Sequence, residues 1–273
     1  MHSTASDGAS LPAEVVRKAH ARGLTAIALT DHDTIAGLPE AVGAGEQLGL
    51  RVVGGCEFSV GVSWGEMHCL GYFLPSDSAE LDAFLVEARA DRERRMRAMI
   101  YKLTIAGAPI TEDDVMAEAA GGSVGRPHVA RALVRAGHAA SVNAAFDRYL
   151  GRGRVGYVDK ALPPFHEVAS LVHRIGGIVS AAHLKDRGSK SNLARLTDEG
   201  LDAVEVRHPS HDADTRLRLA DLAAHLGLGV SGGSDWHGDG PEGHGHAEMG
   251  SQDVPLAWLA ALEARRPAVA PGA

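Results

Sequence analysis

Short apolar runs alternate with longer helical patterns along most of the chain, and run after run ends at, or carries, a His, Asp or Glu. Thr25 to Thr30 reads as a buried strand that breaks off at Asp31, His32 and Asp33. Before it, Ser10-Leu11-Pro12-Ala13-Glu14 reads as a helix start, with Ser10 as N-cap and Pro12 in the first turn, and Gly23 ends that helix. A second helix is expected from Pro39 to Leu48, then strands from Arg51 to Val60 and from Glu66 to Phe73. From about Ser78 the strand signal vanishes. Leu81 to Ala106 reads as one long helix, highly charged from Arg89 to Arg97; Thr111 caps a second, Gly125-Arg126-Pro127-His128 opens a third, and Asn143 to Leu150 makes a fourth. The α/β rhythm then returns: helix Phe165–Ile175, strand Ile178–His183, helix Leu193–Glu199, strand Ala203–Arg207, helix Asp214–Leu226 and a strand end at Gly229–Asp235. This order predicts an α/β sheet or barrel from residues 1–77 and 156–266, a helical insert over its mouth from 78–155, and a frayed tail at 267–273.

Composition narrows the function. With 273 residues, 45% hydrophobic and 23% charged, the chain is an ordinary globular one. Net charge −8 argues against a DNA-coating protein, and 4% aromatics against a base-stacking sheet, so no stable DNA binding is expected. No apolar run approaches the roughly 18–20 residues that span a bilayer, so no membrane partner is expected. Cys56 and Cys69 sit inside strand-like runs, which reads as buried reduced thiols and a cytoplasmic location. Nothing speaks to oligomeric state.

The anomaly is histidine, fifteen in all, many at strand ends beside Asp, Gly or Ser. In α/β folds the chemistry sits beyond the carboxyl ends of the strands. His32, Glu57, His68, His183 and the pair Asp235/His237 each end a strand or lie near its end, and in a barrel these ends meet at one mouth. Taken singly each residue also reads as an ordinary structural one. Together they point to a multinuclear metal centre, because burying so many polar groups unpaired is costly.

The ordered series His2-Ser3, Ser6-Asp7-Gly8, Thr30-Asp31-His32-Asp33, Gly55-Cys56-Glu57, Met67-His68, Ala182-His183 and Ser234-Asp235-Trp236-His237 resembles the PHP family, named for its polymerase and histidinol phosphatase members. In the insert, Gly125-Arg126-Pro127-His128-Val129-Ala130-Arg131-Ala132-Leu133 and Gly156-Tyr157-Val158 resemble the nucleotide-phosphatase and 5′-3′ exoribonuclease branch. The resemblance implies a distorted seven-stranded β/α barrel and two to three divalent ions (Mn, Zn or Fe). His2, Asp7, His32, Glu57, His68, His183, Asp235 and His237 match the ligand positions, with Asp31 orienting a ligand. Such ions activate water at neutral pH and spread phosphoryl charge. The implied activity is hydrolysis of phosphate monoesters, in a 3′,5′-bisphosphonucleotide or in short 5′-phosphorylated RNA. Arg126, at a helix start that favours anions, is the expected phosphate grip. His128 is expected to contact phosphate or protonate the leaving oxygen, and Lys160, His208 and His211 are further candidates on mouth loops. His244 and His246 lie in a glycine-rich loop within possible reach of the metals.

Two departures stand out. The family opens Asp-x-His-x-His, whereas this sequence starts one residue before the second His, so most of the first strand is missing; the expectation is a gene product that begins upstream of Met1. Leu184 replaces the usual Pro after His183. Two alternatives remain: an amidohydrolase-type enzyme, which typically needs a carboxylated strand lysine where this chain has none, and a binding or regulatory module with a weakened centre.

Overall fold

The computed structural model describes residues 1–239 and 247–268. His244, His246 and residues 269–273 lie outside them. One mixed sheet runs β1 (Ala26–Leu29), β2 (Arg51–Val62), β3 (Gly65–Tyr72), β4 (Ile178–Ala181), β5 (Ala203–Arg207), β6 (Gly229–Gly232), in that spatial order. β1 and β2 are parallel, β3 is antiparallel to both its neighbours, and β4, β5 and β6 are parallel. The curled sheet carries helices α1 (Pro12–Ala21), α2 (Leu38–Leu48), α7 (Phe165–Arg174), α8 (Lys190–Asp198), α9 (Ala213–Leu226) and α10 (Leu256–Glu263). The sheet has six strands among the described residues, so the count of seven is not met within them. Met1 and His2 lie between the ends of β1 and β6: Thr30 N donates to Met1 O (2.9 Å) and His2 N to Trp236 O (2.9 Å).

The reversal of β3 has a consequence for the site. β2 and β3 form a hairpin over Ser63–Trp64, with Val62 paired to Gly65. The start of β3, not its end, therefore lies at the carboxyl ends of its neighbours. His68 reaches the mouth because it stands early in β3, opposite Ser59.

Two local readings change. Ser10 is not the N-cap of α1; Leu11 is, in extended backbone, because the ring of Pro12 disfavours helical geometry in the residue before it. Ser10 Oγ instead accepts from Lys18 Nζ (2.9 Å). The helix expected over Asn143–Leu150 is a short α6 (Val142–Ala145) that widens into a π turn at Phe146–Leu150.

The remaining helices are α3 (Ala79–Ile105), α4 (Glu112–Ala119) and α5 (Arg126–Arg135). Three apolar clusters result among the described residues, the smallest around Val53, Leu70, Tyr72, Ile178 and Leu262. Of the other two, one lies between sheet and helices, around Val15, Leu29, Leu38, Phe58, Phe165, Val172 and Trp236. The second is helical, around Met96, Met99, Leu103, Val129, Leu133 and Leu150. The 27-residue α3, about 40 Å long, joins these two: Leu81 and Leu85 pack in the first core, Met96 to Leu103 in the second. Phe58 is fully buried, and its truncation to Ala would cost about 3–5 kcal/mol. Among the described residues no helix is long and apolar enough to cross a membrane.

Candidate metal centre

Tight turns put the ligand-type side chains at the mouth. Asp31 organises the first segment: its Oδ1 accepts from Ser3 N (2.7 Å) and Ser6 Oγ (2.6 Å), its Oδ2 from Ser3 Oγ (2.7 Å). The segment from His2 to Asp7 thus folds back on itself. Gly8 permits this, since a Cβ there would lie 2.5 Å from His2 O. At the ends of β1, β4 and β6, Asp33 (φ +49°), His183 (φ +32°) and Asp235 (φ +49°) adopt left-handed backbone, which non-glycine residues rarely take and which clusters at functional sites. His183 is held there by Glu205, whose Oε2 accepts the His183 N–H (2.8 Å).

These turns bring the candidates together. Ligand atoms of His2, Asp7, His32 and His237 lie within 4.8 Å of one another, as do those of His32, Glu57 and His68, and those of His2, Glu57 and Asp235. Glu57, like His2 and His32, belongs to two of the three groups: its Oε1 is 2.6 Å from His68 Nδ1 and 3.2 Å from His183 Nε2, while Oε2 is 3.1 Å from His2 Nε2. His183 joins through Glu57 and stands edge-on to the His68 ring, 5.2 Å between centroids. Every sequence-predicted ligand is therefore in the cluster or touches it.

Whether ions fit can be judged from the nitrogens. His2 Nδ1 and Nε2, His32 Nδ1 and His208 Nε2 are buried without a hydrogen-bond partner. Yet His2 Nε2 has Glu57 and Asp235 oxygens at 3.1 and 3.2 Å, and His2 Nδ1 has Asp7 at 3.7 Å. The two His2 nitrogens thus lie beside carboxylates without a hydrogen bond to them, which leaves them available to a shared ion. Imidazole and carboxylate sets of this kind suit divalent first-row ions. The residues fit a metal centre.

The histidines and carboxylates of the cluster shift one another's pKa values. Burial disfavours charge on His2, but the Asp235 and Glu57 carboxylates outweigh it and carry its pKa up to about 10. His183 is likewise raised to about 9, burial being outweighed by Glu57. Burial would raise Asp7 and Glu57, yet the surrounding histidines hold both well below the usual carboxylate range. His32 goes the other way, down to about 3, because burial dominates.

Beside the cluster opens a groove of about 680 Å³ lined by His68 and His183 and by the cations Arg126, Arg152, Lys160, Lys185 and Arg187. Arg126, half-buried, lies over the Phe146 and Tyr157 rings (5.8 and 5.9 Å). Lys160 Nζ donates to Ser59 Oγ (2.9 Å) and pairs with Glu66; burial, then Arg92, lowers its pKa. Of the other candidates, His128 and His211 are engaged by the protein itself. His128 is buried, accepts Gly125 N–H at Nδ1 (2.9 Å) and hydrogen-bonds the Ser6 backbone, and burial brings it down to about 4. His211 Nδ1 lies 3.1 Å from Val206 O, and its Nε2 accepts the Lys185 N–H (3.3 Å), so it braces the turn after His183. His208 faces an inner cavity of about 310 Å³ with Asp235 and Glu205, its Nε2 3.6 Å from Asp235 Oδ2.

Three residues of the site escaped the sequence reading. Glu66 Oε1 is 3.2 Å from His68 Nε2 and fixes that ring; its two-residue spacing from His68 on a strand was the available signal. Glu205 stood out as a lone carboxylate in an apolar run. Arg92, which grips Asp33 (Nε–Oδ2 2.7 Å), gave no signal within its charged stretch.

A PHP domain model matches residues 1–227. The chain belongs to the PHP domain family. Among curated relatives, the family resemblance is carried by a 3′,5′-nucleoside bisphosphate phosphatase of Chromobacterium violaceum, 35% identical over 264 residues, which cover 90% of each chain. A 5′-3′ exoribonuclease of Haemophilus influenzae is 34% identical over 241 residues, covering 86% of this chain and 88% of that one. Among solved structures, a protein of Bifidobacterium adolescentis assigned as a metal-dependent phosphoesterase superposes with TM-score 0.89 at 33% identity, over 97% of this chain and 94% of that one. These relatives are phosphoesterases, and the sequence reading of a PHP-type metal-dependent phosphoric ester hydrolase agrees with them.

Proposed function

We propose that the chain hydrolyses phosphate monoesters of nucleotides, with a 3′,5′-bisphosphonucleotide or a short 5′-phosphorylated RNA as substrate. The observation that carries this is the convergence of His68 and His183 with five cations on one groove. Eight ligand positions would hold two to three divalent ions, manganese, zinc or iron: His2, Asp7, His32, Glu57, His68, His183, Asp235 and His237. Such ions supply Lewis acidity at the phosphoryl centre. The chain's own residues do the rest. Arg126 and Lys160 grip phosphate oxygens, Arg126 with its planar fork and Lys160 as a point charge. Asp31 orients the His2–Asp7 segment. His128 acts by holding the Gly125–Arg126 turn against Ser6, since both its nitrogens are engaged there. His211 steadies the turn that carries His183 and Lys185, and His208 adds a donor beside Asp235.

Helices at 78–155 form the lid of this groove in the proposal, as the insert expected from sequence. The exposed rim cations Arg152, Lys185 and Arg187 favour a substrate longer than one nucleotide. The free, buried thiols of Cys56 and Cys69 suit a cytoplasmic setting. To test the reading, chelator-stripped protein is reloaded with manganese, zinc or iron. It is then assayed on a 3′,5′-bisphosphonucleotide and on a 5′-phosphorylated oligoribonucleotide. Metal-dependent phosphate or nucleotide release is expected with at least one. No release from either substrate with any of the three metals would defeat it.

A further inference from the structure

Arg92 stands on α3, away from the groove, 9% exposed. Its Nε and Nη2 donate to Asp33 Oδ2 at 2.7 and 2.5 Å, and its Nη1 donates to Val124 O at 3.2 Å. Asp33 is the residue after the ligand His32; its Oδ1 accepts Ser59 N–H (3.1 Å) and its own N–H donates to Glu57 O (3.1 Å). Val124 is two residues before Arg126. One guanidinium thus ties the turn that carries the ligand position His32 to the turn that carries the phosphate grip. Fit is close: a Cβ on Gly125 would come 3.3 Å from Arg92 Nη1. Further along the same helix, Arg95 donates to Val158 O (3.4 and 3.3 Å) and Lys102 to Tyr157 O (2.7 Å), fixing the segment that leads to Lys160.

We propose that Arg92 is a positioning residue that sets the distance between the His32–Asp33 turn and Arg126, so that a phosphate held by Arg126 meets the metal cluster. The inference rests on Arg126 as a phosphate contact. Arg92 does not line the groove, so it acts through the turns it holds. A lysine at this place keeps the charge but lacks the fork, so it can reach Asp33 or Val124, not both.

The test uses the manganese-loaded full chain with inorganic phosphate as ligand, measured by calorimetry, with hydrogen exchange over residues 122–128. Arg92→Lys should weaken phosphate binding by about 10-fold, leave manganese content unchanged and raise exchange over 122–128. The double variant Arg92→Lys/Arg126→Ala should bind no more weakly than Arg126→Ala alone, because Arg92 acts through Arg126. Wild-type affinity in Arg92→Lys, or losses that simply multiply in the double variant, would overturn the proposal. If Arg126→Ala itself binds phosphate normally, the reading of Arg126 fails instead, and unchanged exchange in Arg92→Lys still decides against Arg92. Should Arg92→Lys not fold, the neutral pair Arg92→Gln/Asp33→Asn carries the same measurements.

Discussion

His128 gives a stability prediction with a definite sign. Its side chain is buried, and burial, with Arg131 nearby, depresses its pKa from 6.5 to about 4. A base with a depressed folded-state pKa binds more protons unfolded than folded between those two values. It therefore contributes stability that is fully present above pH 6.5 and is lost as pH falls toward 4. At pH 8 the loss is negligible, and at pH 5 linkage puts it at about 2 kcal/mol. His128→Asn keeps an acceptor for Gly125 N–H, gives up the Ser6 bond and cannot take a proton. The variant should be less stable than wild type at pH 8 by about 1–2 kcal/mol. That gap should shrink by about 2 kcal/mol at pH 5, or by about 4–8 °C in Tm. Urea unfolding of chelator-treated protein at both pH values measures it, and the metal-ligand histidines cancel in the difference. A gap that stays constant between pH 8 and 5 would refute a buried neutral imidazole, and with it the role of His128 as a fixed brace.

Three further outcomes follow from the same geometry. Arg126→Ala should lower kcat/KM by on the order of 10²-fold, about 3 kcal/mol, with metal content unchanged; steady-state kinetics with elemental analysis checks both. Glu66→Gln loosens the ring of His68 and should weaken metal affinity by about 10-fold or more, read by competition with a chelating dye; unaltered affinity would remove Glu66 from the support of the cluster. Because His2 and His183 are held protonated, with values near 10 and 9, ions must displace protons at pH 8, so metal affinity should rise with pH. Calorimetry in two buffers of different ionisation enthalpy should show proton release on loading; identical heats would sink that account.

Much of the sheet was legible because most of its strands are short apolar runs ended by a polar group. β1, β2, β3, β4 and β5 lie within a few residues of where the pattern puts them, since apolar runs this short, bounded by glycine and polar turn residues, suit strands better than helices. The meeting of the candidate ligands was legible for a related reason: a polar residue closing an apolar run lies at a strand end, and strand ends converge, although Glu57 stands inside β2 and meets the others because β2 runs on past the end of β1. What the pattern could not convey was direction. His68 looks, in sequence, like a residue misplaced at the start of a strand. It reaches the mouth only because the two-residue hairpin at Ser63–Trp64 reverses β3, and hairpin reversal is set by pairing across strands. The cap at Leu11 was hidden by a different competition, between the side chain of Ser10 and the backbone restriction that Pro12 imposes on its neighbour.

The helices between residues 78 and 150 were legible, but the role of their charged residues was not, because charge is ambiguous on a helix that touches two cores. In Arg89–Arg97 of α3, Arg94 and Arg97 face water and pair with Asp91, Glu93 and Glu112, interactions of little net consequence at an exposed surface. Arg92 and Arg95, in the same run, are buried. The four residues have the same chemistry, and periodicity places Arg92 on the face of Met96, Met99 and Leu103, where an apolar residue would be expected. The partner that permits its burial, Asp33, is 59 positions away. A buried guanidinium is tolerated only with its hydrogen bonds made, and removing one member leaves the other charged and unpaired. The Asp33–Arg92 pair therefore penalises any docking of α3 that misaligns it, which ties the placement of Arg126 to that of His32. Specificity of this kind resides in a distance between elements, and no single stretch of sequence carries it.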